Sequence, residues 1–226
     1  MKSDINRMLK EIEDEAELTA TYTGKEHFSN RVMSALREVP REKFVSDFNQ
    51  YAAYRNSPLP IGCGQTISQP YIVALMTELL DLTPDSIVLE VGTGSGYQAA
   101  VLSRLAKKVY SIERIPELYS SSSKRLDKLG YNNVETRCSN GYHGWIEKAP
   151  FDAIIVTAAA LYIPDTLEDQ LKPGGRMIIP VGPRYGHQQL MLVEKQMDGS
   201  TETKSLLAVS FVPMEPAEMD RPKETH

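Results

Sequence analysis

Ile87-Val-Leu-Glu-Val-Gly-Thr-Gly-Ser-Gly-Tyr-Gln98 decides the fold of this 226-residue chain. The β-rich apolar run from Ile87 to Val91 stops at three alternating glycines, Gly92, Gly94 and Gly96. Behind them Ala99, Ala100, Leu102, Leu105 and Ala106 recur at helical spacing. Strand, glycine turn and helix open a nucleotide-binding βαβ unit, in which glycine lets a ligand approach bare backbone. Dinucleotide enzymes favour G-x-G-x-x-G. Here the third glycine comes one residue early, a form suited to S-adenosylmethionine (SAM), which has no pyrophosphate to seat. Glu113 ends the next expected strand, where a carboxylate can accept hydrogen bonds from both ribose hydroxyls of an adenosine.

From Ile87 onward strands and helices alternate. Strands are expected near 87–91, 109–113, 133–138, 151–157 and 176–181, and helices near 97–107, 116–129 and 162–171. Lys172-Pro-Gly-Gly175 reads as a turn before the fifth strand. Gln189–Lys195 and Ser205–Val212 flank Asp198-Gly199 as a closing antiparallel pair. The expected fold is α/β: a doubly wound, mostly parallel seven-stranded sheet with ligands at the strands' carboxyl ends.

Upstream, helices are expected over 3–20 and from Asn30 to Val39. Residues 41–56 read as irregular, anchored by Phe44, Val45, Phe48, Tyr51 and Tyr54. The prolines and glycines of 57–70 exclude regular structure until Ser68, which reads as a helix N-cap. A long loop of defined sequence leading into a helix suggests function. One domain is expected, divided into a helical cap over 1–56, an active-site loop over 57–70, a core over 71–214 and a mobile tail over 215–226.

Composition narrows the partners. A net charge of −5 argues against non-specific nucleic-acid binding. No run approaches the roughly 20 apolar residues of a membrane span, and no signal core follows the polar N-terminus. Cys63, Cys138 and the four histidines show no ligand or redox spacing, so no metal is implied and a reducing cytoplasm is expected. Nothing suggests an oligomer interface, so a monomer is expected.

Four further stretches carry a resemblance. They are Gly64-Gln-Thr-Ile-Ser-Gln-Pro70, Ala149-Pro-Phe-Asp-Ala-Ile-Ile-Val-Thr-Ala158, Pro173-Gly-Gly175 and Phe211-Val-Pro213. With the glycine motif they resemble the protein-L-isoaspartate O-methyltransferase family over residues 30–214. The resemblance implies methyl transfer from SAM to the free carboxylate of L-isoaspartyl, and D-aspartyl, residues in damaged proteins and peptides. The ester then closes to a succinimide, and hydrolysis returns some normal aspartate. It implies Ser68 as the active-site serine, with Thr66 a second donor. Cofactor contacts are expected from Glu90, Gly92, Thr93, Gly94, Gly96, Gln98 and Glu113, with Asn140 and Gly141 on the adenine side. Substrate contacts are expected from Ile67, Ala158, Val209 and Phe211, and the 57–66 and 209–213 segments could pair with an extended peptide.

The chemistry fits that list. A carboxylate with an ordinary pKa near ~3.9 is ionised at neutral pH and needs no general base to attack a methyl group. It needs placement within roughly 3–3.5 Å of that carbon. Ser68 is therefore read as an orienting donor rather than a nucleophile. The chain departs from the family pattern at Ser139-Asn140-Gly141 (usually Gly-Asp-Gly), at Ala160-Leu161 (usually two prolines) and at Ser210 (usually basic). The alternatives are a SAM methyltransferase for another acceptor and a SAM-binding module without catalysis. The 62–70 loop speaks against the first, and Asn140 is the one support for the second.

Overall fold

A computed structural model describes residues 2–214. The expected tail lies outside the described residues. Helix α1 (Lys2–Thr23) and helix α2 (Asn30–Glu38) come first, followed by short 3-10 turns at Arg41–Phe44 and Asp47–Ala52. Strands β1 (Leu59–Gly62) and β2 (Gln65–Ile67) then form a small antiparallel pair ahead of α3 (Pro70–Leu79). The alternating core runs β3 (Ile87–Val91), α4 (Tyr97–Ser103), β4 (Lys108–Glu113), α5 (Pro116–Lys128), β5 (Val134–Cys138), β6 (Phe151–Val156) and α6 (Asp165–Asp169). Strands β7 (Leu171–Val181), β8 (Gln188–Lys195) and β9 (Thr201–Val209) close the sheet.

The seven strands lie in the order β5-β4-β3-β6-β7-β8-β9. Pairing is parallel from β5 to β7 and antiparallel from β7 to β9. Strand β3 sits at the crossover, with β4 on one side and β6 on the other, which opens a crevice at its carboxyl end. Apolar residues cover both sheet faces. Along β6, Ala153 and Ile155 join the core under α1–α4, while Ile154 and Val156 join a second core with Trp145, Leu167 and Met177. Burial on both sides explains the uninterrupted apolar runs of the parallel strands.

Several expectations need correction. Residues 59–67 form a hairpin, because Pro60 lies in a two-stranded ribbon where a missing N–H is tolerated and the Gly62–Gly64 turn takes positive φ throughout. Ser68 caps nothing. The N-cap of α3 is Gln69, and Pro70 takes a first-turn position. Lys172–Gly175 lies inside β7, as an irregularity between the Phe151–Leu171 and Ala153–Arg176 pairings. Helix α6 is cut to five residues because Pro164 sets its start and Leu171 already pairs with Phe151. Phe48 and Tyr51 anchor nothing; they are 83% and 73% exposed, whereas Phe44, Val45 and Tyr54 are buried.

One buried cation ties the N-terminal layer to the loop ahead of α3. Arg41 is fully buried, its Nε donates to the Ala53 carbonyl at 2.8 Å, and its Nη2 donates to the Ser68 carbonyl at 2.8 Å. Its guanidinium lies 4.8 Å from the centre of the Tyr97 ring at the start of α4. Arg41→Met would keep much of the volume and strand both carbonyls, at a cost of roughly 2–3 kcal/mol. The denaturation midpoint should fall accordingly, and an unchanged midpoint would show that the clamp contributes nothing.

Candidate active site

Burial and backbone geometry build the floor of the crevice first. Gly92 leaves β3 at φ +100°, and a Cβ there would collide with Thr157 Oγ1 at the end of β6. That hydroxyl donates to the Gly92 carbonyl at 2.6 Å and the Val91 carbonyl at 3.1 Å, so the turn is fixed from the neighbouring strand. Glu113, 6% exposed at the end of β4, accepts from the Gly94 amide at 2.7 Å through Oε2 and from the Ile115 amide at 2.9 Å through Oε1. An ionised carboxylate offers about four lone-pair positions, so acceptor capacity is left over for a ligand's hydroxyls.

Below the turn lies a buried polar chain. Thr93 Oγ1 and Ser111 Oγ are 2.6 Å apart, and Ser111 donates to Glu90 Oε2. Glu90 is wholly enclosed, with no partner for Oε1 among the described residues. Burial, helped by the nearby Glu113 charge and opposed by the Ser111 hydrogen bond, pushes its carboxyl up to about 8.

Above this floor opens a cavity of about 670 Å³, within the range of about 300–1,000 Å³ typical of small-molecule sites. Gly92, Thr93, Gly94, Gln98 and Glu113 line it. Asn140 and Gly141 line it after β5, where Asn140 Oδ1 accepts from the Tyr142 amide at 3.1 Å. Thr66, Ile67 and Ser68 supply another part of the wall, and Ala158 and Phe211 a third. Neither the Ser68 nor the Thr66 hydroxyl is engaged by a described residue, which leaves both free to donate.

Three expected site residues lie off the wall. Glu90 sits beneath it, because strand alternation turns it toward Ser111, its register partner on β4. Gly96 flanks the N-terminus of α4 at φ +87°, packed against Leu126. Val209 ends β9 paired with Gln188. Conversely, Tyr97, Arg114, Thr157, Arg184 and Tyr185 line the cavity without having been anticipated. Thr157 was legible as the residue that follows the apolar run of β6; Arg184 and Tyr185 carry no local signal. Among the described residues no His, Cys, Asp or Glu group could hold a metal ion.

The family model for protein-L-isoaspartate(D-aspartate) O-methyltransferase matches residues 15–219. The chain belongs to that family. It is similar to protein-L-isoaspartate O-methyltransferase 2 of Syntrophobacter fumaroxidans, 57% identical over 92% of this chain and 84% of the relative. The protein of the same name from Nitrosococcus oceani is 56% identical over 95% of this chain and 97% of its own. Among solved structures, a protein-L-isoaspartate O-methyltransferase superposes with TM-score 0.81 at 29% identity, over 96% of this chain and 66% of that one. A beta-aspartate methyltransferase from Plasmodium falciparum, solved with S-adenosyl-L-homocysteine, superposes with TM-score 0.75 at 25% identity, over 95% and 97% of the two chains. The family is SAM-dependent, and its members act on isoaspartyl-containing proteins and peptides.

The raised Glu90 carboxyl has a consequence for this methyltransferase without ligand. Between the ordinary value of 4.5 and about 8 the folded state binds more protons at this group than the unfolded state does. Stability from Glu90 is therefore full at low pH and is lost as pH rises through that window. The melting temperature of the unliganded protein should drop between about pH 5 and about pH 8 more steeply than that of Glu90→Gln. Parallel curves for the two proteins would show that Glu90 titrates normally.

Proposed function

We propose that this cavity transfers the methyl group of SAM to the free carboxylate of L-isoaspartyl and D-aspartyl residues in damaged proteins and peptides. The carrying observation is that one cavity is lined both by the glycine turn with Glu113 and by the Thr66–Ser68 loop. The residues present fit the cofactor: a tight turn with no room for a side chain at Gly92, and a cavity-lining carboxylate with unused acceptor capacity. When bound, SAM supplies an electrophilic methyl group on a cationic sulfur.

In this reading Glu113 accepts the ribose hydroxyls, the Gly92–Gly94 backbone seats the cofactor with Thr93 and Gln98 beside it, and Asn140 with Gly141 borders the adenine. Glu90 and Gly96 act beneath the wall, Glu90 by holding Ser111 and Thr93, and Gly96 by shaping the entry to α4. Ser68 and Thr66 donate to the acceptor carboxylate and aim one of its oxygens at the methyl group. Because that carboxylate is ionised at neutral pH, the chain need supply no base, only position. Ile67, Ala158 and Phe211 pack against the acceptor, and Val209 supports Phe211 from β9. The methyl ester product then closes to a succinimide as the adjoining backbone amide nitrogen displaces methanol, without further help from the protein.

The chain works as a single domain, with the N-terminal helices as a cap, residues 57–70 as the acceptor loop and 71–214 as the core. It acts as a monomer in the cytoplasm on protein substrates, without a nucleic-acid or membrane partner. The charge of −5 supports the lack of a nucleic-acid partner. No described helix is long and apolar enough to cross a membrane.

Methyl transfer from labelled SAM to a short isoaspartyl peptide, beside its twin containing normal aspartate, tests the reading. The isoaspartyl peptide alone should accept the label. Ser68→Ala should lower kcat/KM by about 10- to 100-fold, the loss of one hydrogen bond to a charged group in the transition state. Equal silence on both peptides with SAM still bound would contradict the activity, and an unaffected Ser68→Ala would remove Ser68 from the site.

A further inference from the structure

Two cavity residues carry no role in the methyl transfer proposed above. Arg184 and Tyr185 lie between β7 and β8, and both line the cavity. Gln188, 4% exposed, joins this loop to the last cavity segment. Its Nε2 donates to the Phe211 carbonyl at 3.2 Å and the Pro183 carbonyl at 3.4 Å, and its Oε1 accepts from the Phe211 amide at 2.6 Å. The Gly186 amide donates back to the Pro183 carbonyl at 3.2 Å, closing the turn that presents Arg184 and Tyr185. Neither side chain is consumed by the fold. The Arg184 guanidinium has no carboxylate or carbonyl partner among the described residues and lies 5.3 Å from the centre of the Tyr185 ring, itself 91% exposed.

An unpaired guanidinium backed by an exposed aromatic ring, on the rim of a cavity that receives a peptide, is suited to a carboxylate. The reacting carboxylate is the wrong candidate. An ion pair with a guanidinium would stabilise the ground-state anion and lower the reactivity of the oxygen that must attack the methyl carbon. The chain as a whole carries a charge of −5, so it repels acidic peptides unless a local cation receives them. We propose that Arg184, presented with Tyr185, binds the side-chain carboxylate of a residue adjoining the isoaspartyl residue, so that the enzyme prefers acidic over basic neighbours. This specificity rests on the methyl-transfer activity proposed above.

The test uses isoaspartyl peptides identical except for one adjoining residue, Glu, Gln or Lys, varied on each side of the isoaspartate in turn. On one side the intact protein should favour Glu over Lys by about three- to fivefold in kcat/KM, through KM, as expected for a partly exposed ion pair. The preference should shrink as salt is raised. Arg184→Glu should reverse the order, a gain on the Lys peptide that misfolding could not produce. Equal methylation of all the peptides by the intact protein would overturn this proposal alone. So would an unchanged order in Arg184→Glu, including the case where SAM binding weakens and Arg184 is thereby placed on the cofactor. Silence on every peptide would overturn the activity and this specificity with it.

Discussion

The turn after β3 has no room for a side chain at Gly92, and the rest of the site depends on that contact. Thr157 occupies the space a Cβ would take and hydrogen-bonds the carbonyls on either side of the strand end. The close approach locks the carboxyl ends of β3 and β6 together at the point where the sheet's connections diverge. With the turn fixed, the Gly94 amide reaches Glu113, and the ends of β3 and β4 become one surface. The crevice is thus a product of strand order, and the glycines are the local condition for that order.

The cavity wall formed by Thr66, Ile67 and Ser68 is held from farther away. The loop carrying Thr66 and Ser68 precedes the parallel core, yet Arg41 grips its backbone from the N-terminal layer. Glu15 on α1 accepts from Asn56 at 2.7 Å and from Gln69 at 2.9 Å, and Asn56 in turn accepts from the Tyr71 amide at 2.9 Å. These bonds fix the two ends of the 57–70 segment while leaving the Ser68 and Thr66 hydroxyls unspent. Rigid backbone with uncommitted side chains is the arrangement that positioning chemistry requires. The N-terminal layer therefore meets this segment at the Ser68 carbonyl through Arg41 and at the Asn56 and Gln69 side chains through Glu15.

How much of this the sequence showed follows from the range of the forces involved. Strand β3 was legible to the residue, because burial on both faces writes a continuous apolar run and the glycine turn ends it. The places of Thr66, Ser68 and Glu113 on the cavity wall were legible because motif and strand end are local features. Glu90 was misplaced for a physical reason: adjacency to the glycines says nothing about which side of the strand it faces, and alternation turns it inward to Ser111. The hairpin at 59–67 was hidden because Pro60 reads as a breaker, although a two-stranded ribbon accommodates it. Arg41 and Arg184 were invisible. Arg41 reaches Ser68 across 27 positions, and Arg184 lies on a loop that Gln188 ties to Phe211.

The central claim is geometric: cofactor and acceptor meet in one cavity, and side chains of the 66–68 loop aim the acceptor. A crystal structure with S-adenosyl-L-homocysteine and an isoaspartyl peptide bound together tests it most directly. The account predicts the ribose hydroxyls on Glu113, the isoaspartyl carboxylate on the Ser68 or Thr66 hydroxyl, and one carboxylate oxygen facing the sulfur with space for a methyl group between them. A peptide carboxylate seated away from both hydroxyls, or a ribose that leaves Glu113 untouched, would contradict it.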